Sequence, residues 1–298
     1  MTLSATKPSS SIVYVNGESF ELKKHIGSGG FANVFQAKSL QTHRTVALKQ
    51  IDSKVRGAHS SFMAEKLYQG ALKHPNIIKL IHAQLSDLTL VSELAKFDLH
   101  WVLFERKRSL TTRTKRLIPP QLIDALAYMH SQEIVHQDLK YENIVFINAT
   151  TVKIIDFGLA ATIKLDENGE EIAAKNRAGT SRYWSPQKLA GTPILATKED
   201  VFSLAQMLLA IEVGNPWDKP DKRMRAYRNW VKNPMADERF ATLATQQEEY
   251  YLLLRWMLNH DQEGRCSALE AKESRYMKTA CFQKRGRKRP RKIALGVL

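Results

Sequence analysis

His136-Gln137-Asp138-Leu139-Lys140-Tyr141-Glu142-Asn143 is the stretch whose reading decides this chain. Counted from Asp138, it sets a carboxylate, an amine and a carboxamide at offsets 0, +2 and +5. Thirteen residues after Asn143 comes Asp156-Phe157-Gly158, which adds a second carboxylate. Phosphoryl transfer uses such a set: a carboxylate for a hydroxyl proton, a cation for the moving charge, and two oxygen ligands for magnesium. The bland alternative is a strand-loop-strand hairpin with chance polar residues. Two spaced motifs in a set order speak against it.

Working outward, Gly27-Ser28-Gly29-Gly30-Phe31-Ala32-Asn33-Val34 is a glycine-rich turn. Glycine lets a backbone approach phosphates, because no Cβ collides. A dinucleotide fold uses a similar turn but needs a helix directly after it. Here β-favouring Val34 and Phe35 follow, which suits a hairpin. Lys49 ends Val46-Ala47-Leu48-Lys49 and in isolation reads as a surface lysine. Glu65 lies sixteen residues on, inside a helix expected over about 59–72. That helix starts from His59-Ser60-Ser61 and stops at His74-Pro75-Asn76, since proline disfavours helix before it. An ordinary helix-surface carboxylate is the other reading of Glu65.

Together these runs resemble the protein-kinase family of the serine/threonine type. The first is similar to the catalytic loop H-R-D-L-x-x-x-N, and the second to D-F-G. The others are similar to the glycine-rich loop and to V-A-I-K, with Glu65 at the spacing of the family's helix glutamate. The resemblance covers roughly residues 20–280. It implies an α+β, bilobal fold, with a small β-rich lobe ahead of a larger helical one. It implies ATP and Mg2+ as cofactors and protein substrates as partners. Asp138 would be the base and Lys140 would neutralise the transferred phosphoryl. Asn143 and Asp156 would hold magnesium through hard oxygens. Lys49 would hold the α- and β-phosphates, braced by Glu65. Ile26, Gly27, Ser28, Gly29, Gly30, Val34, Ala47 and Val145 would surround the nucleotide. Ser92, Glu93, Leu94 and Ala95 would form the adenine-binding hinge, with Ser92 as a small gatekeeper. Asp98 would bind ribose, or else cap a helix. Thr180 matches the threonine set against the catalytic Asp and Lys, which favours Ser/Thr substrates and leaves dual specificity open. Asp200, in Asp200-Val201-Phe202-Ser203-Leu204-Ala205, would bond the catalytic-loop backbone; a bare helix cap is its other reading.

Five positions depart from the family pattern: Ala32, Gln69, Gln137, Tyr141 and Gln187. Gln69 falls in the stacked regulatory column that Leu80, His136 and Phe157 otherwise match. Gln187 would convert the usual ion pair with Arg265 into a neutral hydrogen bond and brace the segment less. Gln137 replaces the arginine that receives a phosphate, and a neutral amide cannot make that bidentate contact. Activity is therefore expected not to require loop phosphorylation through this position. Gly29-Gly30-Phe31-Ala32 resembles polo-like kinases. Phe97 to Leu110, with Val15-Asn16-Gly17, resembles spindle-checkpoint kinases, so the subfamily stays unresolved. A pseudokinase scaffold is the competing class, but Lys49, Asp138 and Asp156 are all present.

The chain has 298 residues, 43% hydrophobic, enough for an ordinary packed core. Expected organisation is a flexible segment 1–18, a kinase domain 19–281 with hinge at about 93–97, and a basic tail 282–298. Strands are expected near 77–83 and 88–93, and helices at 198–213, 221–232, 246–259 and 266–277. Leu117, Leu122, Ile123, Leu126 and Met129 mark an amphipathic helix. Val201 to Val213 reads as a buried core helix. No apolar run is long enough for a membrane span and no secretory signal is evident, and two cysteines exclude a disulfide scaffold. An intracellular monomer is expected. The formal charge is +15, and Lys284 to Lys292 carry seven positive charges and no acid. That run suits nuclear import, or a nucleic-acid or acidic partner, or a disordered tail. Further basic groups lie at Arg106 to Arg116 and Lys219 to Arg228. In Asp166-Glu167-Asn168-Gly169-Glu170-Glu171, Asn-Gly signals a tight turn, and the acids either attract basic substrates or form a solvated loop.

Overall fold

The computed structural model describes residues 11–30, 32–105 and 110–285, with side chains to residue 280. Phe31, Arg106 to Ser109, Cys281 as a side chain and most of the tail from Lys284 to Lys292 lie outside that description.

Strands β1 (Ile12–Val15) and β2 (Glu18–Ser28) are joined by Asn16-Gly17, with φ of 49° and 82°. Asn-Gly is the pair that such a two-residue turn favours. Residues 12–18, expected as a flexible start, therefore form a hairpin, and Val15 is fully buried. Four more strands follow: β3 (Ala32–Ser39), β4 (Thr45–Ile51), β5 (Leu80–Gln84) and β6 (Thr89–Glu93). All pair antiparallel in the order β1-β2-β3-β4-β6-β5.

Strand periodicity places Lys49. Val46 and Leu48 share one face of β4 and pack with Val15, Phe20, Ala37 and Val91. Ala47 and Lys49 take the other face, and Lys49 sits in register between Val34 and Leu90. Helix α1 (Ala58–Ala64) starts after Gly57 and buries Ala58 and Phe62 against Ile51, Leu88 and Leu90. Its continuation is a π-helical turn, Glu65–Gln69. Such a turn carries one extra residue and recurs at functional sites. It buries both Glu65 and Gln69. The strand expected near 77–83 starts later, because Asn76 and Ile78 bond the backbone of Ile154.

The second lobe is built on α2 (Thr112–Ser131) and α4 (Ala196–Val213). Helix α4 is buried on nearly every side, as expected for a helix apolar all round. Around them lie α3 (Pro186–Ala190), α5 (Arg225–Lys232), α6 (Glu238–Gln246), α7 (Glu248–Met257), α8 (Ala268–Lys272) and α9 (Arg275–Arg285). Helix α6 was not read from the sequence, and the helix expected over 266–277 is two helices. The first opens on a capping box, Ser267 with Glu270. Cys266 is buried, and burial pushes its thiol up to about 12. Among the described residues no helix is long and apolar enough to cross a membrane.

Candidate active site

Asp200 organises the catalytic loop. Its carboxylate is buried in α4 and accepts from the backbone N–H of His136 at 2.7 Å and of Gln137 at 2.8 Å. His130 lies 3.2 Å from the same carboxylate. Burial works against the charge, but His130, His136 and these donors hold the carboxyl below its ordinary range. The loop is thus tied to the core by its own amides, and the bare-cap reading of Asp200 falls away.

From that anchor the loop presents Asp138. Lys140 donates to one carboxylate oxygen of Asp138 at 2.6 Å. The N–H and hydroxyl of Thr180 both donate to the other at 2.8 Å. Lys140 also reaches the Thr180 hydroxyl at 3.2 Å. Gly179 makes this approach possible: its φ is 87°, and a Cβ there would meet the Gln137 carbonyl oxygen at 2.3 Å. Asn143 donates its amide to the Asp138 carbonyl at 2.8 Å, so its side-chain oxygen is the atom left for a cation.

The second cluster joins the lobes. Lys49 Nζ lies 2.5 Å from Glu65 and 3.0 Å from Asp156. Burial opposes the ammonium charge, yet the two carboxylates outweigh it and hold Lys49 above its ordinary range. Burial also pushes the Glu65 carboxyl up to about 7, against the pull of Lys49. Asp156 stays low despite its desolvation because of Lys49. Among the described residues, no group of three metal-ligating side chains gathers. The carbonyl oxygen of Asn143 and the carboxylate of Asp156 are hard oxygen donors of the kind magnesium takes beside substrate phosphates.

His136 and Phe157 are fully buried with ring centroids 5.1 Å apart. Gln69, buried, donates to the Ser92 hydroxyl at 3.2 Å. The polar column member thus meets the small gatekeeper. Asp98 accepts from Trp101 N–H at 2.7 Å, which matches its helix-cap reading. The Ala95 N–H has no partner among the described residues. Glu93 holds Lys153 at 2.5 Å. Val145 is buried on the strand Ile144–Asn148, opposite Asp98. Ile26 is exposed near the tip of β2. Tyr141, where the family has proline, packs on Phe104 and Tyr183 and donates to the Met207 carbonyl.

The family model for the protein kinase domain matches residues 20–277. The chain belongs to the protein kinase domain family. It is 33% identical over 205 residues to serine/threonine-protein kinase PLK4 of Drosophila melanogaster, covering 67% of this chain and 26% of that protein. Over 208 residues it is 35% identical to the Aedes aegypti PLK4, with the same coverage of each chain. The chain therefore spans about a quarter of the length of these relatives. Of the two subfamily resemblances, the polo-like one is supported.

Several contacts of this kinase domain go beyond what the motifs announced. Arg265 donates to the Gln187 side-chain oxygen at 3.0 Å, as expected from the pairing. The Gln187 amide also donates to the His260 carbonyl at 2.5 Å, which no motif announced. Glu199, one residue before Asp200, accepts from Ser185 N–H at 3.1 Å and faces buried Lys188. Gln137 donates to the Leu159 carbonyl at 3.1 Å and accepts from the Asn176 side chain. Asn176 carried no signal, because its role depends on a fold-made contact 39 residues back along the chain.

Proposed function

We propose that this domain transfers the γ-phosphoryl group of ATP to Ser/Thr hydroxyls of proteins, with Asp138 as base. The substrate oxygen attacks γ-phosphorus as its proton passes to Asp138, the bond to the β-phosphate oxygen breaks, and ADP leaves. Lys140 sits beside Asp138 to offset charge on the moving group. Lys49, braced by Glu65, orients the α- and β-phosphates. A magnesium ion held by Asn143 and Asp156 would neutralise the phosphate charge. The carrying observation is the shared grip of Lys140 and Thr180 on Asp138, beside the Lys49–Glu65–Asp156 cluster. The glycine-rich turn supports it too. Among the described residues, each glycine's own chain neighbours aside, no atom lies within 4 Å of a Cβ built on Gly27, Gly29 or Gly30, and none of the three has a positive φ. Neither packing nor backbone calls for glycine there, whereas a phosphate close to the backbone does. A cleft of about 150 Å³ lined by Phe104, Tyr141, Glu142, Arg182 and Tyr183 adjoins Thr180 and suits a substrate segment.

The test is phosphate transfer from labelled ATP to protein substrates, with Asp138→Ala as control. Turnover about a hundredfold or more above the control is expected for a lost base. Signal equal to the control supports the pseudokinase reading instead. Nuclear residence, and an acidic or nucleic-acid partner, rest on the basic run from Lys284 to Lys292. Salt-dependent DNA binding that vanishes on deleting 282–298 would support that role.

A further inference from the structure

The segment from Ala161 to Gln187 is tied down without a single ion pair of its own among the described residues. Its first strand, Ala161–Thr162, pairs with Ile134–Val135, and Ile163 N–H donates to the Glu133 carbonyl at 2.7 Å. Leu165 and Glu171 bridge a turn tightened by Asp166 and by Gly169 at φ 81°. Glu171 then accepts from the N–H of Thr197 at 3.1 Å and from its hydroxyl. Thr197 stands in the first turn of α4, which lacks a side-chain cap of its own. Acceptance there satisfies an orphan donor and places negative charge at a helix N-terminus. Ala174 and Ile194 exchange two backbone bonds of 3.0 Å. The last tie is Asn176, whose amide donates to Gln137 while its oxygen accepts Ala178 N–H at 2.7 Å.

Gln137 thereby bridges Leu159, just ahead of the segment, and Asn176 within it. Only three residues separate Asn176 from Thr180, and the second of these bonds fixes Ala178 directly. Gly179 and Thr180 follow, the latter with both its donors on Asp138. Moving Asn176 moves Thr180 off the base.

Resting on the kinase reading above, we propose that Asn176 is a positioning residue. With Gln137, and seconded by Glu171, it forms a neutral latch that sets Thr180 against Asp138. Asparagine carries no hydroxyl, so the latch cannot be written or erased by phosphate. It closes when the chain folds. Being uncharged, the Asn176–Gln137 contact is insensitive to salt, unlike an arginine–phosphate contact.

Asn176→Ala is expected to lower kcat/KM for a protein substrate about tenfold, the loss that one net hydrogen bond of about 1.4 kcal/mol represents. KM for ATP stays within about twofold, since Lys49 and the glycine-rich turn are untouched. Gln137→Arg alone is equally impaired, because a guanidinium offers only donors to the Asn176 amide. Gln137→Arg with Asn176→Asp recovers most of the rate, since an aspartate accepts from both the arginine and Ala178. Phosphatase treatment leaves the wild type unchanged. A second readout needs no catalysis: Lys175 and Arg177 flank Asn176. Trypsin cleavage there should accelerate in Asn176→Ala and slow again in the double variant.

Full rate in Asn176→Ala, no recovery in the double variant, or a large loss on phosphatase treatment overturns the latch. Wild-type turnover no better than Asp138→Ala overturns the kinase reading instead. The trypsin pattern then still decides the latch, with unchanged cleavage counting against it.

Discussion

The catalytic loop and the segment that covers it touch at Asp138, yet they are held by opposite means. The loop hangs from a buried carboxylate: Asp200 takes two backbone N–H groups and stays ionised inside α4. The segment hangs from amide and backbone pairs and from N–H and hydroxyl donors set on Glu171, Asp138 and Glu199, with no ion pair of its own among the described residues. Buried charge gives the stiffer anchor, because breaking it leaves desolvated groups without partners. Neutral ties give a grip that neither salt nor a phosphatase alters. In this domain the buried charge sits under the chemistry, and the neutral amide pair sits in the segment that covers it.

The comparison breaks hardest at Asp200. Asp200→Ala leaves the His136 and Gln137 amides buried without an acceptor and should cost about 3–5 kcal/mol. That is a fall of about 10 °C in Tm for a chain of this size, and turnover should fall to background. Asp200→Asn, which keeps one acceptor oxygen, should lose less in both. A thermal melt within about 2 °C of wild type for Asp200→Ala would remove the anchor argument.

Next in size is the pH response of the other charged cluster. Glu65 is raised by burial to about 7. A raised carboxyl favours its protonated form in the fold. That part of stability is complete below the ordinary glutamate range and is lost as pH rises through about 7. Function runs the other way, because only the carboxylate braces Lys49. Nucleotide affinity should therefore fall as pH drops through about 7, approaching about tenfold per unit. Glu65→Gln should flatten that limb and bind nucleotide more weakly at pH 8. A pH-independent nucleotide Kd in the wild type would sever Glu65 from the site.

The same contrast explains what could be read in advance. Lys49, Glu65, Asp138, Asn143, Asp156 and Asp200 could be singled out in advance because they fall in motifs whose residue types and order resemble the family's, and the fold brings them into two clusters and the anchor beneath them. The buried helix from Val201 was legible because apolar residues surround it. Residues 12–18 looked flexible because a four-residue strand carries too little pattern, although Asn16-Gly17 was a turn signal. The π-helical turn at Glu65–Gln69 cannot be told from α-helix by periodicity over five residues. Asn176, Glu171 and the second bond of Gln187 escaped for another reason. Amides and carboxylates in loops acquire roles only from partners that the fold delivers.

A smaller effect probes Gln69. Its bond to Ser92 ties the turn that carries Glu65 to the strand that leads into the hinge. Gln69→Leu and Ser92→Ala should each cost about 1 kcal/mol. Their double variant should cost less than the sum, since one interaction is removed twice. Additive losses in a melt series would show that the two side chains are bonded elsewhere.

The smallest expected change is Gln187→Glu, which sets a carboxylate opposite Arg265 in place of a neutral amide. Arg265 is buried, and burial lowers its guanidinium to about 10, so a carboxylate beside it would recover part of that cost. Gln187, however, also donates to the His260 carbonyl. A glutamate cannot donate there and would set its charge against that oxygen. The two terms oppose each other, and a buried pair is worth little net once desolvation is counted. Tm should move by under about 3 °C in either direction. Gln187→Ala, which removes one acceptor of Arg265 beside the Asn259 and Lys198 carbonyls and gives nothing back, should destabilise clearly more. If Gln187→Glu instead raised Tm by about 6 °C or more, the neutral pairing would be a real weakness in the segment's far end, and the contrast with the buried-charge anchor at Asp200 would extend from Asn176 to Arg265.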